Sequence, residues 1–239
     1  MSKRENKNVI YIFLMGEYED IKEPLVITPG WDYVCFTDNT NLKSEAWDIR
    51  GCLPEYASEK DFKRKAMIHM IEYYKLFDKD YENIITIPAG ALITSDLDEF
   101  IKEIDLNERD MAILKHPDRK CVYKEAKVVI NQRLDYRSVV NAQVKRYKED
   151  NYPQDNGLWC TAVMVRNNQS CNLKKACEIW AAEYKQGSRR DQISLNYSFW
   201  KAKQQGLSTE VLQIPYRYAN GRPFLIKGHK NNPGRQVKQ

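Results

Sequence analysis

Short runs rich in β-branched and aromatic residues recur along this chain and constrain its fold more than any other feature of the sequence. They are typical of buried strands, and the strands so predicted are residues 9–14, 31–36, 83–87, 111–115, 158–165 and 211–214. Helical periodicity lies between several of these runs, and it predicts helices at residues 58–77, 95–101, 122–147, 173–185 and 190–203. Strands that alternate with helices favour an α/β fold.

The 239-residue chain is predicted to form one domain, because no linker, repeat or low-complexity segment interrupts this pattern. We place the domain at residues 1–226 and assign residues 227–239 to a basic tail. The helix predicted at 58–77 has an apolar face, which is formed by Phe62, Ala66, Met70, Tyr74 and Phe77.

The N-terminal residues and the cysteines both predict a cytoplasmic protein. The chain begins with the polar stretch MSKRENKN, and no window approaches the roughly 18 continuous apolar residues that a membrane span needs. Six scattered cysteines without a CxxC pair indicate reduced thiols, and they argue against a zinc site.

The formal net charge of +5 is concentrated at the C-terminal end of the chain. From residue 211 onward there are six basic residues and no acidic one. Such a segment predicts contact with phosphate, a diphosphate ligand or a peripheral anionic membrane surface, and the alternative is a solvated terminus. Because no basic stripe appears elsewhere, nucleic acid is not predicted as a partner.

In open α/β sheets, ligands bind outside the carboxyl ends of the strands. This rule identifies four candidate segments: Met15-Gly16-Glu17, Thr37-Asp38, Pro88-Ala89-Gly90 and His116-Pro117. The sequence contains no GxGxxG, no GxxxxGK[ST] and no GxSxG. It therefore gives no support to dinucleotide-dependent dehydrogenases, P-loop enzymes or α/β-hydrolases.

The segment ITIPAGALITSDLDEF, residues 85–100, resembles the central segment of GT-A glycosyltransferases, notably those of family eight. In that family an Asp-x-Asp pair after a strand holds the divalent cation that bridges the donor diphosphate. Here the two positions are Pro88 and Gly90, which offer no carboxylate to a cation. The resemblance implies a Rossmann-like GT-A domain with a mixed central sheet, whose usual metal pair is replaced.

A second acidic pair, Asp96 and Asp98, leaves two alternatives open. The pattern from Ser95 to Glu99 is typical of a helix cap, and this is the favoured interpretation. If Mn²⁺ or Mg²⁺ is used, this pair and His229 are the candidate ligands, because His229 is similar to a C-terminal metal-binding histidine of family eight. Otherwise His229 is expected to contact the diphosphate.

Other segments resemble a glycosyltransferase-like domain family that was formerly of unknown function. The matching segments are Lys65-Ala-Met-Ile-His69, His116-Pro-Asp-Arg119 with Tyr123-Lys-Glu125-Ala126, and Arg190-Asp191-Gln192 with Asn196-Tyr197. The resemblance implies that Asp191 acts at the reaction centre and that Gln192 binds sugar hydroxyls. Together, the strand-end rule, these motifs and the basic tail predict a set of donor-binding residues: Gly16, Asp38, Lys65, His69, Pro88, Ala89, Gly90, His116, Arg119, Arg190, Lys227 and His229.

Each of these residues also has a simpler explanation. Asp191 suits the N-terminus of a helix, where the helix dipole favours an acid. Lys65 could be a surface lysine, His69 a histidine at the edge of the core, and Arg119 a partner in a plain salt bridge. The function predicted is sugar transfer from a nucleotide-diphosphate-sugar to a glycan or lipid-linked acceptor. The alternative is a non-catalytic nucleotide- or carbohydrate-binding protein of the same fold.

Overall fold

The computed structural model describes residues 6–39, 41–106 and 108–227, and a seven-stranded mixed sheet lies at its centre. The strands of the chain are β1 (Asn8–Leu14), β2 (Trp31–Thr37), β3 (Asp48–Gly51), β4 (Asn83–Thr86), β5 (Ala91–Ile93), β6 (Met111–Lys115), β7 (Trp159–Asn167), β8 (Val211–Ile214) and β9 (Phe224–Ile226). The order in the sheet is β3-β2-β1-β4-β7-β6-β8. All neighbours are parallel except that β7 runs antiparallel to both β4 and β6.

Helices cover the sheet, and the α/β prediction is confirmed. They are α1 (Phe62–Ile71), α2 (Leu97–Ile104), α3 (Val122–Asn131), α4 (Arg137–Glu149), α5 (Cys171–Gln186) and α6 (Asp191–Gln204). Alternate residues of β1 enter two separate apolar clusters, with Tyr11 in one and Ile12 in the other. Because both faces of this strand are buried, its sequence is continuously apolar rather than alternating.

A small second sheet pairs β5 with β9 in antiparallel register, so that Ala91 faces Ile226. The sequence pattern did not predict β3 or β9 as strands. Both are only three or four residues long, and pairing with a distant segment defines them more than local propensity does. The strand β9 ends at the boundary that we placed between the domain and the basic tail.

The helix predicted at residues 58–77 is shorter in the structure. It begins after Asp61, whose carboxylate caps it by accepting hydrogen bonds from the backbone N–H groups of Lys63 and Arg64. Its last residue is Ile71, Glu72 caps it, and a single 3-10 turn follows at Tyr73–Lys75. The prediction that Phe62 faces the core is wrong, because this side chain is 51% exposed.

The helix predicted at residues 122–147 is two helices, α3 and α4. Arg133 adopts a left-handed conformation with φ 55°, which an α-helix cannot continue through. The turn is held by Asp135, which accepts hydrogen bonds from the Ser188 hydroxyl at 2.6 Å and from the Arg189 backbone N–H at 2.8 Å. The break between these helices therefore anchors the segment that leads into α6.

The C-terminal end of the described chain is Lys227, and His229 lies outside the described residues. Among the helices that the structure describes, none combines the length and the apolar character that crossing a bilayer requires.

Candidate active site

Three of the predicted donor-binding residues meet where β1 and β2 end. The Gly16 backbone N–H donates to Asp38 Oδ1 at 2.9 Å, and Lys65 Nζ lies 3.6 Å from Asp38 Oδ2. Lys65 is buried, and its ammonium also donates to the carbonyl of Ala57 at 3.3 Å. Lys65 is therefore not a surface lysine, and it holds the carboxylate of Asp38 at the carboxyl edge of the sheet.

His69, which lies one turn after Lys65 in α1, is fully buried. Its Nδ1 lies 2.7 Å from the carbonyl oxygen of Lys65, and its Nε2 accepts a hydrogen bond from the Leu53 backbone N–H at 2.9 Å. These contacts assign the proton to Nδ1, and burial lowers the pKa of the ring. The geometry favours the alternative of a neutral core histidine, because contact with a donor would require one of these bonds to break.

The segment Pro88-Ala89-Gly90 forms a turn directly after β4, closed by a hydrogen bond from the Ala91 N–H to the Pro88 carbonyl. A Cβ atom placed on Gly90 would lie 3.0 to 3.2 Å from atoms of the Glu19 side chain. The pairing of Ala91 with Ile226 also brings the next residue, Lys227, beside Gly90. The turn thus presents no carboxylate of its own, and the single carboxylate of Glu19 and an exposed lysine lie next to it.

Both carboxylates of the Asp96 and Asp98 pair have partners away from this edge. Asp96 caps α2 by accepting hydrogen bonds from the backbone N–H groups of Asp98 and Glu99, and Asp98 Oδ1 accepts one from Trp31 Nε1 at 2.7 Å. Trp31 begins β2, whereas Asp38 follows its end, which is about 20 Å further along the strand. These contacts favour the helix-cap alternative. In the described ranges, no group of three or more His, Cys, Asp or Glu residues could hold a metal ion.

Asp191 is the first residue of α6, and its side chain is buried at the same edge of the sheet. Its Oδ2 accepts a hydrogen bond from Thr161 Oγ1 at 2.6 Å, and Lys63 Nζ lies 4.0 Å from its Oδ1. Because β7 is antiparallel to β4 and Thr86 pairs with Met164, Thr161 lies beyond the carboxyl end of β4. In the sheet, β7 is two strands from β1, about 10 Å across.

The neighbours of Asp191 in the sequence have unused hydrogen-bonding capacity. Arg190 Nε is buried without a hydrogen-bond partner among the described residues. Gln192 is half-buried, and the structure gives its amide no hydrogen bond within the described ranges. A buried donor without a partner is costly, so the Arg190 guanidinium is suited to a ligand at this position. The half-buried amide of Gln192 is accessible to the same ligand.

His116 and Arg119 form a second polar group at the end of β6. His116 Nδ1 accepts hydrogen bonds from the backbone N–H groups of Asp118 and Arg119, both at 3.1 Å. Arg119 donates through Nε to the buried carboxylate of Glu125, so the salt-bridge alternative for Arg119 is present in the structure. Burial, together with the neighbouring guanidinium, lowers the pKa of His116. This group lies three strands from β1, about 14 Å across the sheet, and so does not join the Asp38 group.

The comparisons with known proteins concern the family and the fold of the chain. Residues 97–215 match the family model described as TOD1/MUCI70, glycosyltransferase-like domain. The apo structure of the bifunctional glycosyltransferase WbbM aligns with a TM-score of 0.54 and 14% identity, over 90% of this chain and 40% of WbbM. The fold is that of GT-A glycosyltransferases. The chain spans two fifths of the length of WbbM. Because the two sequences are only 14% identical, the likeness is evidence for the fold and for nothing further.

A second solved structure, apo mouse xyloside xylosyltransferase 1, aligns over 93% of this chain and 95% of that one, with 10% identity and a TM-score of 0.49. No curated protein matches the chain. The predicted resemblance to GT-A enzymes and to a glycosyltransferase-like domain family is confirmed, and a glycosyltransferase-type function is supported. The family match includes His116, Arg119 and Arg190–Gln192, whereas Gly16, Asp38 and Lys65 precede it.

Lys63 is a residue of this candidate site that sequence reasoning missed. Within the described part of the chain, its ammonium has two polar contacts, Met67 Sδ at 3.4 Å and Asp191 Oδ1 at 4.0 Å. Its side chain is 36% exposed, yet partial desolvation of the ammonium lowers its pKa to about 8. Asp191 opposes this change, and the nearby cation of Arg190 adds to it. The available signal was the basic triplet Lys63-Arg64-Lys65. In the structure, Lys63 lies near Asp191 and Lys65 lies near Asp38.

Proposed function

We propose that this chain transfers a sugar from a nucleotide-diphosphate-sugar to a glycan or lipid-linked acceptor. One observation carries the proposal: the buried carboxylate of Asp191 lies on the same sheet edge as the Gly16, Asp38 and Lys65 group. The span of about 10 Å between the two strands involved suits a diphosphate and one sugar ring. In this assignment the nucleotide lies at β1 and β2, and the sugar lies at the N-terminus of α6.

The chemistry requires stabilisation of the charge that develops on the departing diphosphate. Preorganised cations in a partly dry site supply this stabilisation. Lys63 and Arg190 flank Asp191, and Lys227 lies beside Gly90. We assign these three cations to the diphosphate, while Asp191 acts on the sugar or acceptor and Gln192 binds sugar hydroxyls.

The turn at residues 88–90 does not fit a divalent cation. Hard cations need several oxygen ligands, and Pro88 and Gly90 supply no side-chain oxygen. Asp96 and Asp98 use their carboxylates at the start of α2 and next to Trp31. Our proposal therefore includes no step that passes through Mn²⁺ or Mg²⁺.

The proposed activity is tested by incubating the protein with a panel of nucleotide-diphosphate-sugars without acceptor and measuring nucleotide release. Slow hydrolysis of one donor is the expected result, because an enzyme that activates the donor also exposes it to water. The alternative, a non-catalytic binding protein, is favoured by Pro88 and Gly90. Binding of a donor with no release over long incubation would support that alternative.

Replacing Lys63 with methionine should weaken the binding of a nucleoside diphosphate about tenfold. A hydrogen bond to a charged group contributes about 1.5–3 kcal/mol, which corresponds to tenfold or more in affinity. Calorimetric titration would measure the change. Because the ammonium loses its proton as the pH rises past about 8, the difference between wild type and variant should shrink at higher pH.

A matched control for this experiment is Lys145→Met. Lys145 is an exposed lysine of α4, and it pairs with Glu149 at 3.8 Å. This variant removes the same charge away from the site, and we expect it to leave the affinity unchanged. An equal loss of affinity in both variants would mean that net charge, rather than the position of Lys63, determines binding.

A further inference from the structure

Phe62 places an open aromatic ring on the edge of the sheet where the nucleotide is proposed to lie. It is the first residue of α1, directly after the Asp61 cap, and it is 51% exposed. Its ring packs against the backbone of Gly16, since a Cβ atom on Gly16 would lie 2.4 to 2.9 Å from three ring carbons. Lys65 Nζ lies 5.8 Å from the centroid of the ring.

The surroundings of Phe62 separate it from an ordinary exposed apolar residue. Single apolar side chains on a surface are common and need no explanation. This ring, however, adjoins the same Gly16 and Lys65 that hold Asp38. Gly16 has φ +75° and a neighbouring ring that excludes a side chain, so the glycine at this position lets the chain and the ring approach closely.

A ring fixed in this way is suited to stacking. Aromatic side chains contribute a flat apolar surface, and every nucleobase has a π-face that can stack on it. The carboxylate of Asp38, already oriented by Gly16 and Lys65, retains lone pairs that can accept hydrogen bonds from ribose hydroxyls or a base N–H. The Phe62 ring and the Asp38 carboxylate both adjoin Gly16 and Lys65, so one can contact the base of a nucleoside while the other accepts hydrogen bonds from it.

We infer that Phe62 is the platform on which the base of the nucleotide donor stacks, beside Asp38. This inference rests on the proposed function and assigns one part of the donor to one part of the site. The base lies over α1 at the end of β1, and the diphosphate extends from there towards Lys63 and Asp191. Phe62 is therefore a residue that determines affinity for the nucleoside and takes no part in the chemical step.

The test compares the binding of uridine, guanosine and thymidine diphosphates with the binding of inorganic pyrophosphate, which has no base. For the diphosphate that binds the wild type, we expect Phe62→Ala to raise the Kd about tenfold, the loss typical of one base–aromatic stack. Phe62→Trp keeps a stacking surface and should restore most of the affinity. The Kd for pyrophosphate should stay the same in all three proteins.

Tyr136→Ala is the control, because Tyr136 is a similarly exposed aromatic residue, 50% accessible, at the start of α4. This variant should bind all ligands as the wild type does. Unchanged nucleotide affinity in Phe62→Ala, or an equal loss for pyrophosphate, would overturn the stacking role and leave the transferase proposal standing. A wild-type protein that binds none of the diphosphates would overturn both.

Discussion

Replacing Asp191 with asparagine is expected to lower the rate of sugar transfer about 100-fold or more while donor binding is retained. Asparagine keeps the shape of the side chain and an oxygen that can accept the hydrogen bond from Thr161, but it lacks the negative charge. A group that acts in the transition state affects kcat in this way, whereas a group that only binds substrate affects KM. Steady-state kinetics and calorimetric donor titration would measure the two effects separately.

The matched control for Asp191→Asn is Asp150→Asn. Asp150 ends α4, and its carboxylate accepts hydrogen bonds from Tyr197 and Lys201 on α6. This substitution removes one carboxylate that contacts α6 at a distance from Asp191, and it should leave the rate of sugar transfer unchanged. If Asp191→Asn transferred sugar at the wild-type rate, Asp191 would be only a favourable first residue of α6, and its assignment as a catalytic carboxylate would be wrong.

The second large effect concerns metal. We expect the activity of the wild-type protein to be largely insensitive to a chelator, because we propose that Pro88 and Gly90 stand in the turn after β4 where related enzymes have two aspartates. The double substitution Pro88→Asp and Gly90→Asp should create binding of Mn²⁺ or Mg²⁺, since it supplies two hard oxygen ligands at one strand end. Titration calorimetry with the metal alone would detect this gain without an activity assay.

The geometry of the turn indicates that the double variant can fold. Gly90 does not have a positive φ, so a side chain there costs little backbone strain. The added Cβ would approach the end of the Glu19 side chain, which is flexible enough to move by a few tenths of an ångström. Loss of wild-type activity on chelation, with recovery in Mn²⁺, would contradict our assignment. In that case Asp96, Asp98 and His229 become the first residues to substitute.

The sequence predicted the elements whose identity depends on local pattern. The strands β6 and β8 were predicted with the bounds that the structure has. The first four residues of β6 are apolar and buried, whereas β8 lies at the edge of the sheet and exposes Gln213. Asp191 was likewise placed at a helix start by its position before a helical pattern. The rule for ligands in α/β sheets named the strand ends at Gly16 and Asp38, which are hydrogen-bonded to each other in the structure.

What the sequence did not predict depends on contacts between distant segments. The approach of Lys63 to Asp191 joins α1 to α6, and no local pattern encodes that distance. The position of Lys227 beside Gly90 follows from the register of two three-residue strands, too short to show a period. Phe62 fits the apolar face of a longer helix, but the Asp61 cap starts the helix at Phe62 and leaves the ring partly exposed.

The turn between α3 and α4 has a consequence for how the chain tolerates changes of length. Surface turns usually accept inserted residues, because a longer loop costs little closure entropy. This turn differs, because Asp135 accepts hydrogen bonds from the Ser188 hydroxyl and the Arg189 N–H. Those two residues come just before Asp191, the proposed catalytic residue. An insertion at residues 132–136 would release that backbone, and the position of Asp191 would then be less fixed. We therefore expect the insertion to lower the transfer rate more than it lowers the free energy of unfolding. Loops that can be lengthened safely must therefore be sought elsewhere on the molecule.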